Sequence, residues 1–189
     1  RALNRLYMRH IDYLICLDEA MEQRVLAQYS ASTTQLKHSV IPTWENSECF
    51  PHTSEERAFG PFTNNNPLIV LYTGNAGWGH EFSSVIYAAC ELHDKPIEFH
   101  FTGGGKSIKW ITSQIEKKHL SNIHFHGYVS HSNLLIWLTK AHLGLVTLRN
   151  DCAGIMSPSK ICSYLAMGLP LLYIGPKHTN VDDAICNYN

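Results

Sequence analysis

From Leu68 onward the chain repeats one unit: a short β-rich apolar run, a Gly-rich or polar break, then a stretch of helical period. Few folds accept such a series, because consecutive parallel strands need a long crossover and that crossover is normally a helix. The predicted strands are 68–73 (LIVLYT), 97–102 (IEFHFT), 122–126 (NIHFH), 143–148 (LGLVTL) and 171–174 (LLYI). Each is short and apolar, as strands buried on both faces are. Between them Phe82, Val85, Ile86 and Ala89 recur at i, i+3, i+4 and i+7, and Ile108, Ile111, Ile115 and then Leu134, Leu135, Leu138 form similar faces. That spacing lays helices on a sheet. A fourth helix is punctuated by Ser157 as N-cap and Pro158 at the first helical position, with Gly168 and Pro170 as its stop. The fold class expected is α/β: a Rossmann-like parallel sheet with helices on both faces.

The first stretch differs. It reads as a helix over 1–10, a strand over 13–17, a helix from Asp18 through Met21 and Val25, and a strand over 39–41 ended by Pro42. These are pieces of a second α/β domain with too few strands for a core. Residues 43–67 carry Pro51, Pro61, Pro67 and the run Asn64-Asn65-Asn66 with little periodicity, which marks a linker. The expected organisation is therefore 1–45 as the end of one domain, 46–66 as interdomain linker, and 67–189 as a second, truncated domain.

Charge narrows the partners. Fifteen Lys and Arg stand against sixteen Asp and Glu, so no basic excess favours nucleic acid or an anionic membrane. Trp44, Trp78, Trp110 and Trp137 lack basic interleaving, and core or rim packing accounts for them without base stacking. The six cysteines form no C-x-x-C pair and several lie in apolar runs; they read as reduced thiols, hence a cytoplasmic setting. No apolar run reaches the length of a membrane span, and residues 1–9 lack the apolar core of a signal peptide.

Three glycine loops carry the chemistry. The first, Gly74-Asn75-Ala76-Gly77-Trp78-Gly79-His80, follows the first strand of the repeating region, where backbone amides and a helix N-terminus can meet a phosphate. The alternative is a tight strand-to-helix turn. Its order, G-x-x-G-x-G, is not that of a dinucleotide fingerprint, and the second strand ends in Thr102 and Gly103 where an NAD enzyme needs an acidic ribose ligand. The second, Gly103-Gly104-Gly105-Lys106-Ser107, suggests a P-loop, but the position that must be glycine is His100. In the third, Gly154-Ile155-Met156-Ser157-Pro158-Ser159-Lys160, a lysine sits in the first helical turn. There it opposes the helix dipole, costing about 0.3–1 kcal/mol, unless an anion reverses the sign. Lys160 reads as a phosphate ligand beside Ser157 and Ser159; the alternative is a solvated side chain. Asp151 either meets sugar hydroxyls or is a solvated loop residue. His124 and His126 share a strand face and suit a metal, but no third ligand is apparent in the sequence, which favours packing or solvent exposure. The remaining histidines are spread singly over the chain and read as ordinary surface residues.

Together, Val40-Ile41-Pro42-Thr43-Trp44, Leu71-Tyr72-Thr73-Gly74-Asn75-Ala76-Gly77, Phe125-His126-Gly127-Tyr128-Val129, and Ser157-Pro158-Ser159-Lys160-Ile161 through Tyr164-Leu165-Ala166-Met167-Gly168-Leu169-Pro170 resemble the GT-B nucleotide-sugar glycosyltransferases of family 4. The last motif looks most like the bacterial branch that builds capsule, O-antigen and exopolysaccharide. This resemblance implies a late N-terminal domain followed by most of the C-terminal, donor-binding domain. It implies a retaining glycosyltransferase that moves a sugar from a nucleotide diphosphate, by default UDP, to a glycan or lipid-linked acceptor without a metal or other cofactor.

Carried over by position, the resemblance brings the Gly74 to Gly77 loop to the donor diphosphate, with Lys160 paired to it as the catalytic positive charge. Tyr128 and Val129 face the nucleotide base. Ser163 takes the place of the glutamate that commonly binds the donor ribose, and Ile155 that of its partner eight positions earlier; Asn75 stands where an arginine is common. The family also implies an acceptor side on the N-terminal domain, peripheral membrane association through that domain at the inner face of the membrane, and no turnover by this chain alone. Two other functions are compatible with the scaffold: a sugar-nucleotide epimerase, which needs carboxylates in the cleft, and a non-catalytic nucleotide-sugar-binding module.

Overall fold

The computed structural model describes residues 2–33, 36–46, 50 and 61–188. The expected linker over 46–66 lies largely outside them. Five parallel strands, β3 (Leu68–Thr73), β4 (Ile97–Thr102), β5 (Ile123–Phe125), β6 (Leu143–Thr147) and β7 (Leu171–Ile174), form one sheet in the order β5-β4-β3-β6-β7. Helices α3 (Ser83–Glu91) and α4 (Ile108–Lys118) cover one face, where Val85, Ile86, Ala89 and Ile111 pack on Val70, Tyr72, Phe99 and Phe101. Helices α5 (His131–Lys140), α6 (Lys160–Ala166) and α7 (Asn180–Tyr188) cover the other, where Leu138, Ile161, Tyr164 and Val181 meet Leu71 and Val146. Residues i and i+2 of a strand share a face, so β3 feeds both cores in turn. The α/β class read from the sequence is the observed one.

Boundaries shift by a residue or two, for local reasons. The third and fourth strands are shorter than 122–126 and 143–148, although the flanking groups still bond across the sheet: His126 N–H to the Phe101 carbonyl and Leu148 N–H to the Ile174 carbonyl, both at 2.9 Å. The helix predicted to begin after Ser157 begins at Lys160. Ser157 is not its cap, since the Ser157 hydroxyl is enclosed and bonds no protein group among the described residues. Its end is as expected: Gly168 adopts φ +60° and the Leu169 amide donates to the Tyr164 carbonyl at 2.8 Å, the glycine-terminated closure of a helix C-terminus.

Ahead of this sheet, α1 (Ala2–Met8) is followed by β1 (Tyr13–Cys16), α2 (Glu19–Thr33) and β2 (Lys37–Val40), with β1 and β2 paired in parallel. The Asp18 carboxylate accepts from the Met21 amide at 2.7 Å, so the helix starts one residue after Asp18. This unit touches the loop after β6: Arg24 donates to the Ala153 carbonyl at 2.8 Å. The Cys162 thiol donates to the Thr43 carbonyl at 3.3 Å. The described cysteines, Cys16, Cys90, Cys152, Cys162 and Cys186, are free. No helix of the described residues is long and apolar enough to cross a membrane.

Candidate functional site

The strand order reverses between β3 and β6, where one series of crossovers runs to β4 and β5 and the other to β7. Such a reversal opens a crevice beyond the carboxyl ends of the two central strands. A buried phenol widens it here. The β3–β6 ladder holds Val70 against Leu143 and Leu71 against Gly144, and beyond that point the Tyr164 hydroxyl stands between the strands. It donates to the Leu71 carbonyl at 3.0 Å and accepts from the Thr73 amide at 2.9 Å and the Thr73 hydroxyl at 3.2 Å. Gly144 makes room for the ring, since a Cβ there would lie 2.5 Å from Tyr164 Cδ2. Burial pushes the phenol's pKa up, so it remains a neutral donor. Tyr164→Phe orphans the Thr73 amide and removes a donor from the Leu71 carbonyl; a urea titration should show a loss of about 1–3 kcal/mol at an unchanged m-value.

The crevice is a cavity of about 440 Å3, within the range of small-molecule sites. Gly74, Asn75 and Gly77 line it from the loop after β3, and Tyr128 and Val129 from the segment after β5. Ser157, Ser159, Lys160 and Ser163 line it from the start of α6. These residues, far apart in sequence, were all candidates on sequence grounds. Asp151 was another, and it does not reach the cavity: Arg149, two residues earlier, takes both its carboxylate oxygens at 3.0 and 2.8 Å on the exposed surface. The competing fate, a surface loop residue, is the observed one.

Lys160 is the central charge. Its Nζ donates to the Tyr72 hydroxyl at 3.2 Å and stands 4.3 Å from the centre of the Tyr72 ring. The Tyr72 hydroxyl in turn donates to the Asn75 carbonyl at 3.1 Å, which ties the lysine to the first loop. Among the described residues no carboxylate forms an ion pair with it. Burial lowers the ammonium's pKa from 10.5 to about 7: the charged form is desolvated and has no anion to offset the loss.

The structure also shows what the glycine loops do. In the first, the amides of Gly74, Ala76 and Gly77 already donate to the carbonyls of Thr102, Gly104 and Asn75. The first amides of α3, Ser83 and Ser84, are taken by the Glu81 carboxylate at 2.7 and 3.1 Å. The expected cradle of loop amides and helix N-terminus for a phosphate is therefore largely spent within the protein. The second loop is the brace for the first. Gly103 (φ +113°) lies so close to the Gly74 carbonyl that a Cβ would collide with it. Ser107 donates from its amide to the Ala76 carbonyl at 2.9 Å and from its hydroxyl to the Gly77 carbonyl at 3.1 Å. Gly104 lies under the exposed Tyr128 ring, a Cβ there falling 2.6 Å from Tyr128 Cε2.

Sequence reasoning missed His80, Thr73, Thr102, Met156, Leu134 and Glu45, all of which line the cavity. His80 carries one signal in the sequence, its place at the end of the first glycine loop. Its Nδ1 lies 2.6 Å from the Thr147 carbonyl, which only accepts, so Nδ1 carries the proton and Nε2 is an acceptor. Burial and then the Lys160 charge push its pKa down to about 4, against the pull of that carbonyl; the ring is neutral at pH 7. The tryptophans expected in core or rim divide: Trp137 packs inside, while Trp44, Trp78 and Trp110 are exposed, with Arg149 stacked on Trp78 at 5.9 Å.

The chain matches no protein-family profile. It is 24% identical over 171 residues to WcaI of Escherichia coli (strain K12), named "Putative colanic acid biosynthesis glycosyl transferase", an alignment covering 88% of this chain and 41% of WcaI. Its fold is similar to that of sucrose-phosphate synthase from Thermosynechococcus elongatus, with a TM-score of 0.69, 17% identity, and coverage of 92% of this chain and 44% of that one. It is likewise similar to the pneumococcal O-GlcNAc transferase GtfA, solved with UDP and GlcNAc, with a TM-score of 0.64, 16% identity, and coverage of 93% and 32%. The parallel sheet flanked by helices is the one seen in these GT-B glycosyltransferases. The chain spans less than half the length of each of these proteins.

Proposed function

We propose that this chain binds the donor of a family 4 GT-B glycosyltransferase that transfers a hexose from a UDP-sugar, with retention, to a glycan or lipid-linked acceptor in surface polysaccharide synthesis. The observation that carries this reading is Lys160: a buried ammonium without a carboxylate partner among the described residues, facing a cavity at the strand-order reversal. A diphosphate supplies the missing anion. When the glycosyl–phosphate bond breaks, negative charge grows on the leaving diphosphate, and a pre-positioned cation in a dry site stabilises that charge more than it stabilises the bound donor. Ser159 lines the same wall and its hydroxyl suits a phosphate oxygen, whereas the Ser157 hydroxyl is enclosed. His80, neutral with Nε2 free to accept, suits a sugar hydroxyl, and Tyr128 with Val129 suits the base. The likeness to WcaI and to a transferase solved with UDP supports the same reading. We propose no metal in this pocket and a cytoplasmic setting.

Calorimetric titration of the chain with UDP, GDP, ATP and NAD tests this at the level of binding. Selective binding of UDP or GDP is expected, with proton uptake above pH 7. The sign follows from Lys160: free, it loses its proton as pH rises through about 7, whereas a bound diphosphate favours the charged form and raises its pKa. Binding therefore takes up close to no proton at pH 6 from this group, a growing fraction above pH 7, and weakens as pH rises. Equal binding of all four nucleotides, or of none, would sink the proposal.

A non-catalytic binding module is the second reading, and one observation favours it. Ser163 spends its hydroxyl on the Lys160 carbonyl at 2.9 Å, and Ile155 is exposed away from the cavity, so neither position supplies the usual carboxylate. UDP binding without sugar transfer by the protein would decide for that module. An epimerase has less support, since Glu45 is the cavity's one carboxylate among the described residues.

A further inference from the structure

Sequence spacing offered His124 and His126 as two imidazoles without a third ligand; the tertiary structure supplies the missing groups. The parallel register sets His100 of β4 beside His124 of β5. Period two then places Glu98 on the face of His100, and His126 on that of His124. This is the face covered by α5, whose Trp137 ring lies 4.9 Å from His100 and 4.1 Å from His126, centre to centre. Three imidazoles and a carboxylate thus converge at the edge of the sheet under an indole lid, apart from the Lys160 cavity.

The distances favour coordination over simple packing. One oxygen of Glu98, Oε2, lies 2.9 Å from His100 Nε2 and 3.7 Å from His124 Nε2. One ligand atom from each of Glu98, His100 and His124 falls within 4.8 Å of the others. A tetrahedral ion with metal–nitrogen and metal–oxygen bonds of about 2.0–2.1 Å sets its ligands about 3.3 Å apart, and the two measured edges bracket that value. His124 Nε2 is shut off from solvent yet makes no hydrogen bond among the described residues, the Glu98 oxygen standing beyond hydrogen-bond reach at 3.7 Å, an arrangement that calls for a closer partner. His100 has its remaining nitrogen, Nδ1, 2.9 Å from His126 Nε2. An imidazole that ligates through one nitrogen and donates from the other to a neighbour is the usual outer arrangement of a metal-bound histidine.

We propose that Glu98, His100 and His124 bind a divalent transition ion of the Zn2+ type through Glu98 Oε2, His100 Nε2 and His124 Nε2, with His126 as a positioning residue that orients His100. Two imidazoles and one carboxylate form a borderline donor set that suits Zn2+ and disfavours Mg2+ and Ca2+, which take all-oxygen shells. The ion clamps the three-residue edge strand β5 to β4. Because β5 runs through Gly127 into Tyr128 and Val129, the clamp also steadies one wall of the cavity.

Zn2+ titration of the metal-free chain against a chromophoric chelator tests the site. One ion per chain is expected to bind with an affinity that His124→Ala and Glu98→Gln each lower at least tenfold, while His93→Ala, on the surface, leaves it unchanged. Zn2+ should also raise the melting temperature of the wild-type chain and not that of His124→Ala. Binding that survives both site variants, or that His93→Ala removes equally, would overturn the proposal. Should either variant fail to fold, Co2+ substitution of the wild-type chain decides: an intense visible d–d band marks a four-coordinate site, and the weak spectrum of a hydrated octahedral ion rules it out.

Discussion

Lys160→Met is expected to give a chain that has lost UDP affinity by about 10- to 100-fold and is nevertheless more stable. The binding loss corresponds to about 1.5–3 kcal/mol, the scale of a hydrogen bond to a charged group. Stability moves the other way because the wild-type ammonium is buried without a carboxylate among the described residues to offset its desolvation. The pH dependence identifies the cause. Lysine titrates near 10.5 unfolded and near 7 in the fold, so between these values the unfolded chain binds the extra proton. The penalty is full below pH 7, shrinks as pH rises, and vanishes above 10.5. Thermal melts should therefore place Lys160→Met well above the wild type at pH 6 and close to it at pH 10. An unchanged UDP affinity in the variant would remove Lys160 from the site.

Gly103→Ala should cost about 4 kcal/mol for a single methyl group. Two effects add: a side chain at φ +113° is strained, and its Cβ meets the Gly74 carbonyl, which is backbone and cannot rotate away. Gly127→Ala is the control. That residue also has a positive φ, +64°, but nothing lies within 4 Å of its Cβ position, so only the left-handed conformation is disfavoured, by about 1–2 kcal/mol. Denaturant midpoints for the two variants separate the close approach of the loops from backbone strain. Equal losses would mean that the second glycine loop does not brace the first. UDP binding by Gly103→Ala should fall as well, since the carbonyl it displaces belongs to Gly74, which lines the cavity.

How far the site could be read in advance depended on the kind of information each residue carries. Lys160 and Gly74 stood out as candidates because one sits at a helix start and the other just beyond a strand, and in a parallel sheet those ends converge by topology; Tyr128 was named through the family resemblance. His80 carries only its place at the end of a glycine loop, and that does not separate a buried neutral ring from a surface one; burial against Tyr72 and Phe82 does. Asp151 shows the opposite failure. Its loop was rightly placed, yet Arg149 captures it, and a bidentate pair two residues apart depends on local geometry rather than on composition. Ser157 followed the rules of helix capping, but the first turn of α6 closes two residues later and leaves that hydroxyl enclosed.

The layer architecture follows from residue order alone, because strands and helices alternate with their own periods and parallel pairing then follows from the length of the crossovers. The same order sets which loops gather beyond the strand ends. The chemistry of those loops emerges only from the folded chain: which loop amides are already taken, whether Lys160 has an anion beside it, and that Glu98 and His100 stand against His124. The physical reason is range. Periodicity and turn chemistry act over a few residues, whereas desolvation, charge pairing and metal-ligand geometry depend on atoms brought within a few ångströms from strands and helices distant in the chain.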